Sequence, residues 1–284
     1  MTAQLLLSYG AFFLYAAASV AAFAYLLTKN ARASQAMLVL MGAGLAAHSL
    51  AFGLRLIHFW AYPENRWFLP VNSFFGALSY MSLALTAAFF VIEARKRLDI
   101  LGAFILPLAA VSLGLAVLHA DASLSPLRPE LRSYWLNIHP MVLMTAYAAF
   151  ANAFGVGVAL LIQERQIKSR KPTELCYRLP SIDELDALNG RIIAISLPVL
   201  VLGLGMGAMW AHAAWGRAWS WAPKETMSLI TAIVYAYFLW LRYFSGRRGR
   251  TPVYVSMFAF LCILATFLSA ELTSGRHDFL AGGK

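Results

Sequence analysis

Residues 100–118 read ILGAFILPLAAVSLGLAVL, a run without one charged side chain. A helix of about 20 apolar residues covers the ~30 Å of hydrocarbon in a bilayer. The same pattern recurs on both sides of this run. Apolar stretches lie near 5–27, 36–58, 72–92, 100–118, 137–163, 191–213, 225–241 and 253–272. Inside a bilayer the backbone finds no water to bond, and runs of this length then fold as helices. The expectation is an all-α integral membrane protein of about eight transmembrane helices, with residues 1–284 forming a single polytopic membrane domain. Composition agrees: 61% of residues are hydrophobic, 13% are charged, and the mean hydropathy is +0.66. A soluble domain carries roughly a quarter charged residues.

The net charge of +10 invites a nucleic-acid reading, but the distribution of the charge opposes it. Most of the 23 basic residues sit in the connections after the first, third, fifth and seventh runs, among them Lys29, Arg95, Arg165, Lys171, Arg178 and Arg247. Positive loops stay in the cytoplasm, so both termini are expected on the outer, periplasmic side. The first run has no basic residue before it, unlike a cleaved leader, and is read as a retained span. The basic balance thus describes orientation in membrane lipid, and no nucleic-acid partner is expected. Cys176 and Cys262 fall in a cytoplasmic loop and in a span, positions that do not suggest a disulfide.

The chemistry concentrates on the outer side. On this topology His58, His119, His139, His212 and His277 lie at outer span ends or in outer loops, and His48 alone lies near mid-span. Each outer histidine has a plain reading as a solvated interfacial group. An ionisable group inside a span is costly, and His48 therefore marks a functional or buried polar site. Aromatic residues crowd the outer connection 59–71, with Trp60 and Trp67, and still more the segment WAHAAWGRAWSWAPKE at 210–225. Interfaces collect aromatic residues anyway. Four tryptophans in this short segment (Trp210, Trp215, Trp219 and Trp221) exceed an ordinary belt and offer faces on which a planar apolar group can stack. Arg217 and Lys224 add cations suited to carboxylates. Haem combines an apolar macrocycle with two propionates, and neutral imidazole is a common ligand of its iron. Pro223 and Glu225 by themselves read as the start of a helix.

The segment resembles the tryptophan-rich WWD domain of haem-handling proteins, a pattern close to W-G-x-x-W-x-W-D-P-K-E. Trp215, Gly216, Trp219, Trp221, Pro223, Lys224 and Glu225 match it, and Ala222 stands at the aspartate position. Three further features resemble the CcsA (ResC) family of cytochrome c biogenesis. They are His139 before the segment, Ser274-Gly275-Arg276-His277 after it, and His48 with Arg55 and the Pro70-Val71-Asn72 element. Arg276 and Asp278 depart from the family's pattern around the last histidine, and Glu271 is a further unexpected acid.

The resemblance implies haem transport to the outer membrane face and presentation for covalent attachment to apocytochrome c. On that reading the chain is the CcsA-like subunit of a system II haem synthase, a holocytochrome c synthase activity shared with a CcsB/ResB-type membrane partner. It implies non-covalent haem b, with His139 and His277 as axial ligands and His48 as an intramembrane haem station. Trp210, Trp215, Trp219 and Trp221 would form the platform, with Arg217 and Lys224 beside it. The implied location is the bacterial cytoplasmic (inner) membrane, ahead of a thylakoid membrane. Two other readings remain open. One is a non-enzymatic relative of CcsA or HemX type that binds haem or anchors a larger complex. The other is a solute permease, to which the glycine-rich stretch Gly203 to Gly207 would belong.

Overall fold

The computed structural model describes residues 2–119, 121–127, 132–169 and 173–281, with the stretch from 268 onward as backbone only. The described residues form helices α1 (Thr2–Thr28), α2 (Ala31–Phe59), α3 (Phe74–Lys96), α4 (Gly102–His119) and α5 (Tyr134–Lys168). They continue with α6 (Glu174–Arg178), α7 (Ile182–Trp215), α8 (Pro223–Tyr243) and α9 (Arg250–Ala281). Short 3₁₀ turns at Pro63–Asn65 and Asp99–Leu101 complete the regular structure, and no strand occurs among the described residues.

Seven of these helices are long and apolar enough to cross a membrane. The run expected at 225–241 coincides with α8, which is not one of the seven. Its apolar residues are interrupted by Ser228, Thr231, Tyr235 and Arg242, and its buried stripe (Ser228, Thr231, Ala232, Tyr235, Phe238, Leu241) faces the bundle. The helix exists where the sequence places it, as an amphipathic element packed on α9 and α7.

α4 is the centre of the N-terminal half. Of its membrane window 72% is buried, against 22% for α7, because α1, α3 and α5 all pack around it. A helix that is apolar all round belongs in such an interior position. Without a hydrophobic driving force between helices in lipid, close packing and small residues hold them together. Ala11, Ala18 and Ala22 on α1 and Met37 and Met41 on α2 belong to one common core, and α1 packs along α2. In the C-terminal half α5 pairs with α7 and α8 with α9, and Phe150 of α5 stacks on Tyr235 of α8 at 3.7 Å between ring centroids.

Helix ends are fixed locally. Ser73 and Ser181 accept from the amides of Gly76 and Glu184 at the starts of α3 and α7, which satisfies amides that lack a partner within the helix. α7 closes on Gly216, whose left-handed backbone (φ 71°) lets its amide bond the carbonyl of His212 at 2.9 Å. At the opposite end of α7 and α8, buried Asp186 pairs with Arg242.

The connection 59–71 is latched rather than splayed. Asn65, fully buried, donates from Nδ2 to the carbonyl of Ser125 (3.0 Å) and accepts the amide of Leu127 (2.7 Å). Tyr62 donates to the carbonyl of Leu124. The loop before α3 is thereby tied to the loop before α5.

Candidate functional site

α5 and α7 run side by side, and the start of α5 lies against the last third of α7. His139 is the sixth residue of α5, and its Nδ1 lies 2.7 Å from the carbonyl oxygen of Gly203. A carbonyl only accepts, so Nδ1 carries the proton and Nε2 keeps its lone pair. A neutral imidazole with one nitrogen anchored to a backbone carbonyl is oriented as a metal ligand, because the anchor fixes both tautomer and ring plane. Two glycines make this approach possible. A Cβ on Gly207 would stand 2.6 Å from Cε1 of His139, and one on Gly203 would stand 2.5 Å from Leu143. Gly203 and Gly207 are four residues apart on one face, a spacing that lets helix backbones come close. The stretch that suggested a permease is therefore the packing seam beneath His139.

Above the seam opens a cavity of about 960 Å³ lined by His139, Leu143, Gly207, Trp210, Trp215, Trp219 and Lys224, among others. This is the upper end of the ~300–1,000 Å³ typical of cofactor and small-molecule sites. Its lid is the segment between α7 and α8. Trp210 and Trp215 meet edge to face at 4.6 Å, and Trp219 and Trp221 do so at 6.0 Å. The indole Nε1 atoms of Trp210 and Trp219 are buried with no hydrogen-bond partner among the described residues. Buried donors are normally satisfied, and each exception asks for an explanation.

The lid is held from below by Glu225. Its carboxylate accepts the Ser220 amide at 2.7 Å and the Ser220 hydroxyl at 2.9 Å. Thr226 closes the turn through the carbonyls of Trp221 and Ala222. Trp221 takes up a left-handed backbone (φ 59°), and its ring is mostly exposed. Ala222 is the N-cap of α8 and supplies no side-chain cap. An aspartate there would sit where it could accept a first-turn amide. Lys224 follows Pro223 in the first turn and opens onto the cavity. Its side chain is exposed to the cavity, yet the protein around it displaces enough water to hold the ammonium below the usual lysine range, and the charge of Glu225 pulls the other way. Arg217 also lines the cavity, and among the described residues neither cation has a carboxylate within ion-pair distance.

The structure thus brings together His139, Trp210, Trp215, Trp219, Arg217 and Lys224, and sets Trp221 on the outer surface of the same lid. His48 is elsewhere. It is fully buried on α2, with Nε2 3.0 Å from Ser79 Oγ and Nδ1 3.4 Å from the Tyr15 hydroxyl. Both ring nitrogens have protein partners, so in this conformation the histidine reads as a satisfied buried polar group. His277 falls on α9, and its side chain lies outside the described ones, as do those of His119, Glu271, Arg276 and Asp278. The tryptophans of 59–71 do not join the cavity: Trp60 packs on Trp67 at 6.0 Å and donates to the carbonyl of Phe68. Sequence reading set the Gly203 to Gly207 stretch with a permease and not with His139, and it missed Ser220. The four-residue glycine spacing was the available signal for the stretch, and nothing local marked Ser220.

The fit to haem can be tested on these residues. An imidazole lone pair, two indole donors and two cations without an ion-pair partner among the described residues, and an apolar wall of indoles, suit a planar dicarboxylate with a ligand-accepting metal.

Residues 71–277 match the family described as Cytochrome C assembly protein. Cytochrome c biogenesis protein CcsA of Prochlorococcus marinus is 32% identical over 239 residues, covering 74% of this chain and 75% of the relative. The CcsA protein of Heterosigma akashiwo is 29% identical over 257 residues, with 77% and 80% covered. That of Gloeothece citriformis is 28% identical over 260 residues, with 75% and 79% covered. Among solved structures, Cytochrome c Heme Lyase CcmF shares the fold at a TM-score of 0.69 and 18% identity, over 94% of this chain. This chain spans about half the length of that protein, 47%. The match over most of its length and the CcsA relatives together make this a multi-pass membrane protein of the cytochrome c assembly family, in its CcsA group.

Proposed function

We propose that the cavity under the tryptophan lid holds haem b at the outer membrane face and presents it to apocytochrome c. Membership in the family gives the chain a role in cytochrome c maturation; the residues suggest how that role is carried out. The observation that carries the reading is His139, with Nδ1 committed to Gly203 and Nε2 left as a ligand beside a cavity of cofactor size.

His139 would hold the haem iron through Nε2. Support for His277 as a second iron ligand comes from the register of α9 against α5. Val253 lies by Gly157, Phe260 stacks on Phe154, and Phe267 meets Tyr147 edge-on. Continuing this antiparallel register carries residue 277 to the level of His139. Trp210 and Trp219 orient the macrocycle by stacking and donate from their free indole nitrogens. Arg217 and Lys224 attract the propionates, and the lid excludes water from one face. The bound haem supplies vinyl groups to which the thiols of an apocytochrome CxxCH segment add. The remaining parts of the synthase reside in a CcsB/ResB-type partner, and His48 serves as an inner station when its bonds to Ser79 and Tyr15 open. The location that goes with this reading is the bacterial cytoplasmic membrane.

Absorption spectra of the detergent-purified chain test the reading. A b-type signal in the wild type that is lost in His139→Ala and His277→Ala, with co-expressed partner and cytochrome c losing thioether-linked haem in parallel, is expected. Full haem retention in the double variant would overturn it. Retention of haem without any cytochrome c maturation by the wild type would favour the non-enzymatic, HemX-like reading.

A further inference from the structure

Arg55 lies one turn from the end of α2 and is only 2% exposed. Its Nη1 donates to the carbonyl of Ala122 (2.9 Å), its Nη2 reaches Ser73 Oγ (3.4 Å), and its guanidinium stands 4.5 Å over the Phe75 ring. Its Nε has no partner among the described residues. No described carboxylate lies within ion-pair distance. Asp121, the nearest acid to act on it, uses its oxygens on the amide and hydroxyl of Ser123. A buried cation without a counter-charge is strongly unfavourable.

The guanidinium opens onto a second cavity of about 180 Å³, walled by Asn72, Ser73 and the loop from Ser123 to Leu127. Asn72 brings a second buried donor without a partner, its Nδ2. The first turn of α3 adds the positive end of a 23-residue helix. Among the described residues this wall holds no carboxylate. Unmatched donors, a cation and a helix start define an anion site, since no described carboxylate lines the wall and Asp121, which acts on Arg55 from a distance, is engaged on Ser123. Its volume falls below the ~300 Å³ at which cofactor pockets begin, so it suits a compact oxyanion and not a porphyrin. Asn65 keeps the walls fixed by bonding both Ser125 and Leu127.

We propose that this cavity binds a phosphate group, contributed either by a phospholipid headgroup at that membrane face or by free phosphate, and that the group neutralises Arg55. The site is separate from the tryptophan-lidded cavity and does not depend on what that cavity holds.

Thermal unfolding of the detergent-purified full chain tests this, with inorganic phosphate as one probe and micelle-dispersed phosphatidylglycerol as the other. Arg55→Gln and Asn72→Ala are compared with the wild type. A saturable rise in Tm with phosphate that needs about tenfold more ligand in Asn72→Ala supports a free-phosphate site, since one hydrogen bond to a charged group is removed. A rise with phosphatidylglycerol alone, weakened in the same variant, supports the headgroup. No rise with either probe, or equal rises in wild type and Asn72→Ala, overturns the proposal. Asn72→Ala carries the test if Arg55→Gln does not fold. Its haem spectrum is expected to match the wild type, which separates this site from the first.

Discussion

His139 acquires its meaning from an atom 64 residues away. The Gly203 carbonyl decides which imidazole nitrogen is free, and Gly207 lets the ring lie flat against α7. Gly207→Ala places a methyl group 2.6 Å from Cε1 and must displace the ring while leaving the chemistry of His139 intact. Loss of an orienting contact of this kind typically costs 10–100-fold in metal affinity. Haem titration monitored in the Soret band is expected to show such a loss with helicity unchanged; wild-type affinity in this variant would remove the ring-orientation argument. Lys224 makes a second prediction at this scale. Its pKa is lowered chiefly by partial desolvation in the cavity wall, so it loses its proton at lower pH than a free lysine. Attraction for a propionate should therefore weaken as pH rises through that lowered value, and Lys224→Met should flatten this alkaline limb of the affinity profile. Of these residues, the histidine, the lysine and the indoles were legible in the sequence because they are rare side chains in a recognisable order. The tautomer was not, because it depends on a contact between two helices.

The lid between α7 and α8 shows what one element can settle by itself. Gly216 stops one helix, Pro223 starts the next, and Glu225 reaches back to Ser220 to hold the turn between them. Both helix boundaries were readable from glycine and proline. The role of position 222 was not, since an N-cap is defined only once the backbone before Pro223 is known to be extended. Ala222→Asp should add a capping bond worth about 1 kcal/mol. The expected result is a Tm raised by a few degrees without loss of haem binding; a lowered Tm would mean that the aspartate meets something other than first-turn amides. The aromatic run 59–71 read like the lid, yet it closes on itself through Trp60 and Trp67. Composition alone could not distinguish a self-packed loop from a stacking platform.

Across the whole molecule, apolar runs located all the long helices, and only α8 proved more amphipathic than a free-standing span. Charge placement further predicts which end faces the cytoplasm. With a membrane-impermeant maleimide on intact cells, Ala218→Cys at the exposed lid should label in a background where Cys176 does so only after permeabilisation. The reverse pattern would invert the orientation.

α4 was the segment from which the fold could be read, and it is also the helix most enclosed by its neighbours. A stretch so apolar enters the bilayer readily as it leaves the ribosome, by which time α1, α2 and α3 have already been made. Two of the three helices that enclose α4, α1 and α3, precede it in the chain, so much of its packing surface has been synthesised before His139 or any tryptophan of the lid is translated.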